Sequence, residues 1–323
     1  MGLKASKIYR TLSQQSLTLA NIQTVAAVKK AYYSVLVNNW KLQMTKADAN
    51  RLKKLMDETQ KMNEAGFTEK LDYDRIKVNY NNLATLENTM GKILTLSYKM
   101  LKFQMGMPVK DSITLTDSLR SIPLNPELDA DTTFRPNNRI EYAMAQTNLF
   151  GSHELLRKDR YAYFPNLILI GSVNRVNEGE TTDFFGGAQP WYPTAIVGLK
   201  MSIPIFDGLQ KNYIIQQDKY SLQESELQLS TLKESISLDI ANSSTNLENA
   251  IADLKNQKEN MALAQSVEHD TKIKYEAGTG SNLEVVDAET ALTEAETNYY
   301  NALYNALTAE VDYEQAKGTL LKK

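Results

Sequence analysis

Displaced by 212 residues and laid on itself without gaps, this sequence repeats. Glu64-Ala65-Gly66 falls on Glu276-Ala277-Gly278, Leu71 on Leu283, Asp72 on Glu284 and Gly106 on Gly318. Val28, Val35, Leu42 and Ala49 fall on Ile240, Leu247, Leu254 and Met261. A long period of this kind marks one structural unit used twice. Each unit reads as a very long helix, a tight glycine turn and a shorter antiparallel helix.

The helices follow from heptad rows. Residues 3–64 hold neither Pro nor Gly, and Val28, Val35, Leu42, Ala49 and Met56 recur seven apart. A second row runs Leu12, Leu19, Ala26, Tyr33. Such rows predict a long helix that packs through a narrow seam. At ~1.5 Å per residue it spans roughly 90 Å, too long for an ordinary globular core, so it belongs to a coiled coil or a tube. Beyond Gly66 a second helix is predicted from about Thr68 to Gln104, with Leu86, Ile93 and Met100 in step, ended by Gly106-Met107-Pro108. In the second unit Ile215, Leu222, Leu229 and Ile236 are seven apart, and a four-residue stutter leads to Ile240. That helix is predicted over Leu209–Glu276, ending at Gly278 and Gly280, and the last over Leu283–Lys317.

Between the units the pattern changes. Ser112-Ile-Thr-Leu-Thr116 predicts a short strand, Pro123 and Pro126 interrupt the residues beyond it, and Pro136 opens a helix running to about Tyr161. Two strands are then predicted, Phe164–Val176 and Thr194–Phe206, around a loop with Gly179, Gly186, Gly187 and Pro190. In the second strand Ala195, Val197, Leu199, Met201 and Ile203 share one face, while Thr194, Gly198, Lys200 and Ser202 share the other. At ~3.3 Å per residue, thirteen residues span roughly 43 Å, long for a globular hairpin and suited to a membrane barrel. The first strand is less regular, with Leu167, Ile168, Leu169 and Ile170 in one run. Tyr161, Tyr163 and Phe164 at one end, and Trp191 and Tyr192 at the other, suit interfacial girdles.

Composition excludes several activities. The formal net charge of −3 is too balanced for a nucleic-acid footprint. Without cysteine there is no disulfide, thiol catalysis or Cys-ligated zinc, and two histidines leave little scope for a His-based site. Glu268-His269-Asp270 looks like a metal cluster, but adjacent helical residues point in different directions, so it reads as a surface cluster. No phosphate loop, nucleophile elbow or triad is evident. The expectation is a non-enzyme without cofactor or metal. No run approaches the ~18 apolar residues of a membrane helix, and no signal peptide precedes the first helix.

Taken together these features resemble the TolC family of outer-membrane efflux proteins. Tyr275-Glu-Ala-Gly278 followed by Leu283-Glu-Val-Val-Asp287-Ala looks like the family's second helix–turn–helix motif, and Ala65-Gly66 with Leu71-Asp72 like its first. Phe134-Arg135-Pro136, Tyr163-Phe-Pro165-Asn-Leu and Val197-Gly-Leu-Lys-Met-Ser-Ile-Pro204-Ile-Phe-Asp-Gly208 resemble the linking helix start and the segments bounding the second strand pair. The implied fold is mainly α with a small β part: an α-barrel protomer of long helical hairpins, plus a β-hairpin contributing to a trimeric outer-membrane β-barrel. The chain then divides into a first helical hairpin repeat (1–106), an equatorial connector (107–135), a linking helix (136–162), a transmembrane strand pair with external loop (163–207) and a second repeat with the C-terminal end (208–323).

The implied function is passive export of small molecules or proteins through a duct of a tripartite efflux or type I secretion system. The implied partners are two further copies, a periplasmic adaptor protein, an inner-membrane pump and outer-membrane lipid, with no nucleic acid. The location is the outer membrane with a periplasmic extension. By the resemblance, Glu284 and Asp287 ring the periplasmic constriction, Asp72 and Tyr275 form the gate hydrogen bond, and Gly66 and Gly278 make the hairpin tips. The family's arginine two residues beyond the second turn glycine is Gly280 here, so one charged latch is missing. In the repeat alignment Met1 falls on Tyr213, five residues past Gly208. A strand pair is expected before the first unit too, so the sequence reads as N-terminally truncated or as begun at a misplaced start. Three copies of one hairpin supply six strands, fewer than the eight of the smallest single-chain barrels. The competing expectation is a soluble structural or adaptor coiled-coil protein that enters no membrane, and the alternation on both strands separates the two.

Overall fold

The computed structural model describes residues 2–117, 138–177 and 191–321. In chain order the elements are α1 (Gly2–Glu64), α2 (Lys70–Gln104), α3 (Ile140–Tyr161), β1 (Asn166–Val176), β2 (Tyr192–Ser202), α4 (Gln210–Glu276) and α5 (Asn282–Lys317). The 212-residue repeat appears in their bounds. α1 and α4 end at equivalent residues, Glu64 and Glu276, and α2 and α5 begin at equivalent residues, Lys70 and Asn282. Pro123, Pro126, the Phe134-Arg135-Pro136 motif and the loop from Gly179 to Pro190 lie outside the described residues.

The helix ends share one device. Gly66, Gly278, Gly106 and Gly318 all have φ between 70° and 82°. After α1, Phe67 N–H donates to Met62 C=O (2.8 Å) and Gly66 N–H to Asn63 C=O (2.9 Å). After α4, Thr279 N–H donates to Lys274 C=O (2.9 Å) and Gly278 N–H to Tyr275 C=O (3.0 Å). This crossed pair is the Schellman arrangement, whose left-handed residue glycine adopts without strain.

The chain forms two compact units. One holds residues 1–14 and 144–231. In it Lys4 Nζ donates to both carboxylate oxygens of Glu154 at 3.0 Å, and the Ser152 and Ser225 hydroxyls meet at 3.0 Å. The same unit contains the antiparallel β1–β2 hairpin, in register from Asn166↔Ser202 to Val176↔Tyr192. Each strand has 11 residues rather than 13. β1 begins directly after Pro165, and β2 ends two residues before Pro204. β2 instead begins two residues earlier than the alternation suggests, at Tyr192.

The other unit holds residues 15–143 and 232–323. Its core lies along α5. Near the turns, Leu52 and Leu55 of α1, Ile76 of α2, and Val285 and Val286 of α5 pack together, with Tyr275 against them. Farther along, Val37 meets Tyr300, Leu303 and Leu307, and Ile236 and Ile240 of α4 meet Ala316. The segment Ser112–Thr116 is not a strand. Its alternation serves a different surface: Ile113 and Leu115 both pack on a cluster of Ala31, Val35 and Leu101. Lys102 Nζ fixes the preceding turn by donating to the carbonyls of Val109 (2.5 Å) and Asp111 (2.7 Å).

Candidate functional site

The hairpin register sorts the strand side chains more cleanly than the sequence of β1 suggests. One face carries Leu167 opposite Met201, Leu169 opposite Leu199, Gly171 opposite Val197 and Val173 opposite Ala195. Arg175 and Pro193 close that face at the loop end. The other face carries Asn166 opposite Ser202, Ile168 opposite Lys200, Ile170 opposite Gly198, Ser172 opposite Ile196, Asn174 opposite Thr194 and Val176 opposite Tyr192, a mixture of polar and apolar side chains. The four-residue aliphatic run of β1 thus splits between the faces, because successive strand residues alternate. The apolar face is open: Leu169 is 75% exposed, and Val173 and Val197 82% each. Burying so much aliphatic surface is favourable at roughly 25 cal/mol per Å², so this face needs an apolar surrounding. Aromatic residues mark both ends. Tyr161 and Phe164 pack 5.9 Å apart between centroids, and Tyr163 receives Lys211 Nζ 5.8 Å from its ring centre. Trp191 and Tyr192 are exposed at the loop end.

At the second helical turn, Ser281 caps α5 by accepting from the Glu284 N–H at 3.2 Å. This is one half of a capping box, which a Ser-x-x-Glu spacing predicts. Glu284 and Asp287 are both exposed, while Val285, Val286 and Ala288 beside them are buried. The two carboxylates therefore share the outward face of the first turns of α5. At the first turn the N-cap residue of α2 is Glu69, which makes no side-chain cap bond.

Asp72 and Tyr275 are both half-buried. The Tyr275 ring packs on the cluster near the turns, and its hydroxyl is buried without a hydrogen-bond partner among the described residues. The Asp72–Tyr275 hydrogen bond is therefore not formed within the chain as it stands. Gly280 is crowded: a Cβ there would lie 3.0 Å from the Tyr275 backbone nitrogen.

One cluster escapes the sequence rows altogether. Asp48, Glu289 and Glu296 are 1%, 7% and 3% exposed. Arg51 Nη2 lies 2.8 Å from Asp48 Oδ1 and 3.4 Å from Glu289 Oε2. Glu296 stands beside Asp48, and Glu268 beside Glu289. Burial pushes Glu289 and Glu296 up to about 7, with Arg51 opposing the rise in both; Glu268 adds to the first and Asp48 to the second. Burial also raises Asp48, against the pull of Arg51. A sequence signal does exist, since Glu289 and Glu296 stand one heptad apart, but apolar heptad rows pass over it. Among the described residues no group of three or more His, Cys, Asp or Glu could hold a metal ion.

The comparisons with known proteins agree with this geometry. Over 300 residues the chain is 23% identical to outer membrane protein TolC of Escherichia coli (strain K12), covering 90% of this chain and 60% of the relative. It is 20% identical to outer membrane protein TolC of Vibrio cholerae, covering 92% of this chain and 68% of the relative. The chain thus spans about 60% of the length of the Escherichia coli protein. The fold is shared with the outer-membrane channel OprN (TM-score 0.79, 15% identity, 98% of this chain and 71% of that one). It is also shared with the Campylobacter jejuni CmeC outer membrane channel (TM-score 0.76, 16% identity, 98% and 66%). These neighbours are α-barrel channel proteins, and the mainly α fold with one β-hairpin is theirs. Residues 138–319, more than half of the chain, match the family described as "Outer membrane efflux protein", and the chain belongs to that family.

Proposed function

We propose that this chain is the larger part of an outer-membrane duct that lets cargo pass passively out of the periplasm, and that it is not an enzyme. The observation that carries this reading is the β1–β2 register. It gathers Leu167, Leu169, Val173, Val197, Leu199 and Met201 on one open face, while Asn166, Ser172, Asn174, Thr194, Lys200 and Ser202 stand on the other together with Ile168, Ile170 and Ile196. One face apolar along most of its length is what a lipid-facing barrel strand requires. A soluble adaptor would leave that face in water.

In this reading the hairpin helices build a periplasmic tube in a homotrimer that meets an adaptor and an inner-membrane pump. The unpartnered apolar side chains Leu96, Met100 and Phe103 on α2 support a neighbouring subunit there. Glu284 and Asp287 then ring the throat as six carboxylates and favour cations. Tyr275 and Asp72 act as a gate pair whose bond forms in another state, a role suited to a buried hydroxyl that now lacks a partner.

The test is to express the gene with any in-frame upstream coding sequence and a signal peptide, fractionate membranes, and record conductance in planar bilayers. Recovery in the outer membrane with trimer-sized pores is expected. Recovery as a soluble periplasmic monomer overturns the reading. Glu284→Gln with Asp287→Asn should lower cation preference, and Asp72→Ala should raise single-channel conductance.

A further inference from the structure

The cluster around Arg51 places four carboxyls and one guanidinium at the junction of three helices. α1 supplies Asp48 and Arg51, α4 supplies Glu268 and the hydrogen-bonding Gln265, and α5 supplies Glu289 and Glu296. α2 faces this junction across two cavities of about 170 Å³ each. It contributes Asn79, Asn82, Leu83, Leu86 and Met90 to their lining, none of them ionisable. The other charged side chains on those cavities are Lys41 of α1, which donates to Asn301 Oδ1 at 2.5 Å, and Glu294 of α5.

One guanidinium cannot balance four buried or half-buried carboxylates. Buried neighbouring carboxyls hold protons more readily, since ionised ones repel each other and offer acceptors only. Asp48 and Glu296 line the same cavity, and Glu289 has Glu268 as its neighbour, so that each pair spans α5 and a different helix. The repeat has no second copy of the device: the equivalents of Asp48, Arg51, Glu289 and Glu296 are Asn260, Leu263, Lys77 and Ala84.

We propose that this cluster is a proton-held clasp, in which protons kept by the buried carboxyls around Arg51 let α5 close on α1 and α4, and whose release as pH rises loosens that stretch of the bundle. Burial raises the acids, so the folded chain keeps protons that the unfolded chain has already given up. The stabilisation is complete below the ordinary glutamate range and fades as pH climbs through about 7, where Glu289 and Glu296 titrate. The clasp does not depend on the duct reading.

Difference infrared spectroscopy of the purified full chain tests it directly. A protonated-carboxyl carbonyl band should persist at about pH 6 and vanish by about pH 8, well above ordinary carboxyl titration. The Glu289→Gln/Glu296→Gln variant should lose that band. Hydrogen exchange, corrected for intrinsic rate, should accelerate about tenfold over the same interval in 45–52, 264–270 and 286–297 of the wild type, and not in the variant. The segment 94–101 on α2 should not respond. Absence of the band in wild-type protein overturns the clasp, as does equal acceleration in wild type and variant. Should the double variant fail to fold, the wild-type infrared titration decides alone.

Discussion

α2 and α5 follow the same kind of glycine turn and run for 35 and 36 residues. In α2 the buried side chains are Ile76, Ser97, Leu101 and Lys102. In α5 they include Val285, Val286, Ala288, Leu292, Tyr300, Leu303, Ala306, Leu307, Val311 and Ala316, spread along its length. The repeat therefore fixes where helices start and stop, while neighbours decide what each helix must bury. α5 is enclosed by α1, α4 and Tyr142 of α3, whereas α2 leans on α1 and α5 by one side. The enclosed helix also holds the buried carboxyls, whose counterparts in the first half are a lysine and an alanine.

The sharpest way to break this comparison is core truncation. Leu307→Ala removes a side chain that is 1% exposed and should cost about 3 kcal/mol by denaturant titration. Leu96→Ala, at 63% exposure on α2, should cost under about 0.5 kcal/mol in the monomer. Similar costs would show that α2 is as enclosed as α5.

The C-terminal glycines come next. Gly106 and Gly318 share φ near 70°. An alanine at either loses about 1 kcal/mol to the left-handed conformation. At Gly318 the new Cβ would also fall 2.3 Å from the Asn138 carbonyl oxygen, whereas nothing lies within 4 Å at Gly106. Gly318→Ala should therefore lower the thermal midpoint visibly more than Gly106→Ala. Smaller than the Gly318 effect are the caps. Ser281→Ala should cost about 1 kcal/mol by removing the bond to Glu284 N–H. Glu69→Ser, supplying α2 with the cap it lacks, should recover about 0.5 kcal/mol.

Much of the fold is legible in the sequence because the decisive signals are local. A glycine two residues past Glu64 or Glu276 can end a helix by itself, and the predicted ends there match the structure. The strands are right in kind and wrong in extent, because alternation marks side-chain faces as far as Phe206 while the pairing itself ends at Ser202. Ser112–Thr116 fails for a similar reason. Period-two alternation says which side chains share a face, not whether a strand or a helical surface receives it. The burial of the acids has a tertiary cause: apart from its heptad spacing to Glu296, Glu289 resembles any solvated helix glutamate until Arg51 and Glu268 arrive from elsewhere in the chain. Glu284 and Asp287, three residues apart, share one exposed helix face, while the partners of Tyr275 depend on contacts that no spacing records.

The paired length of the hairpin acts as a gauge. Eleven residues per strand give a ladder of ~36 Å. Tilted by ~40°, as barrel strands are, it rises ~27 Å. That height fits the thin hydrocarbon slab of a bacterial outer membrane better than a thicker one. The number of paired residues would thus help to decide which membrane the protein can occupy.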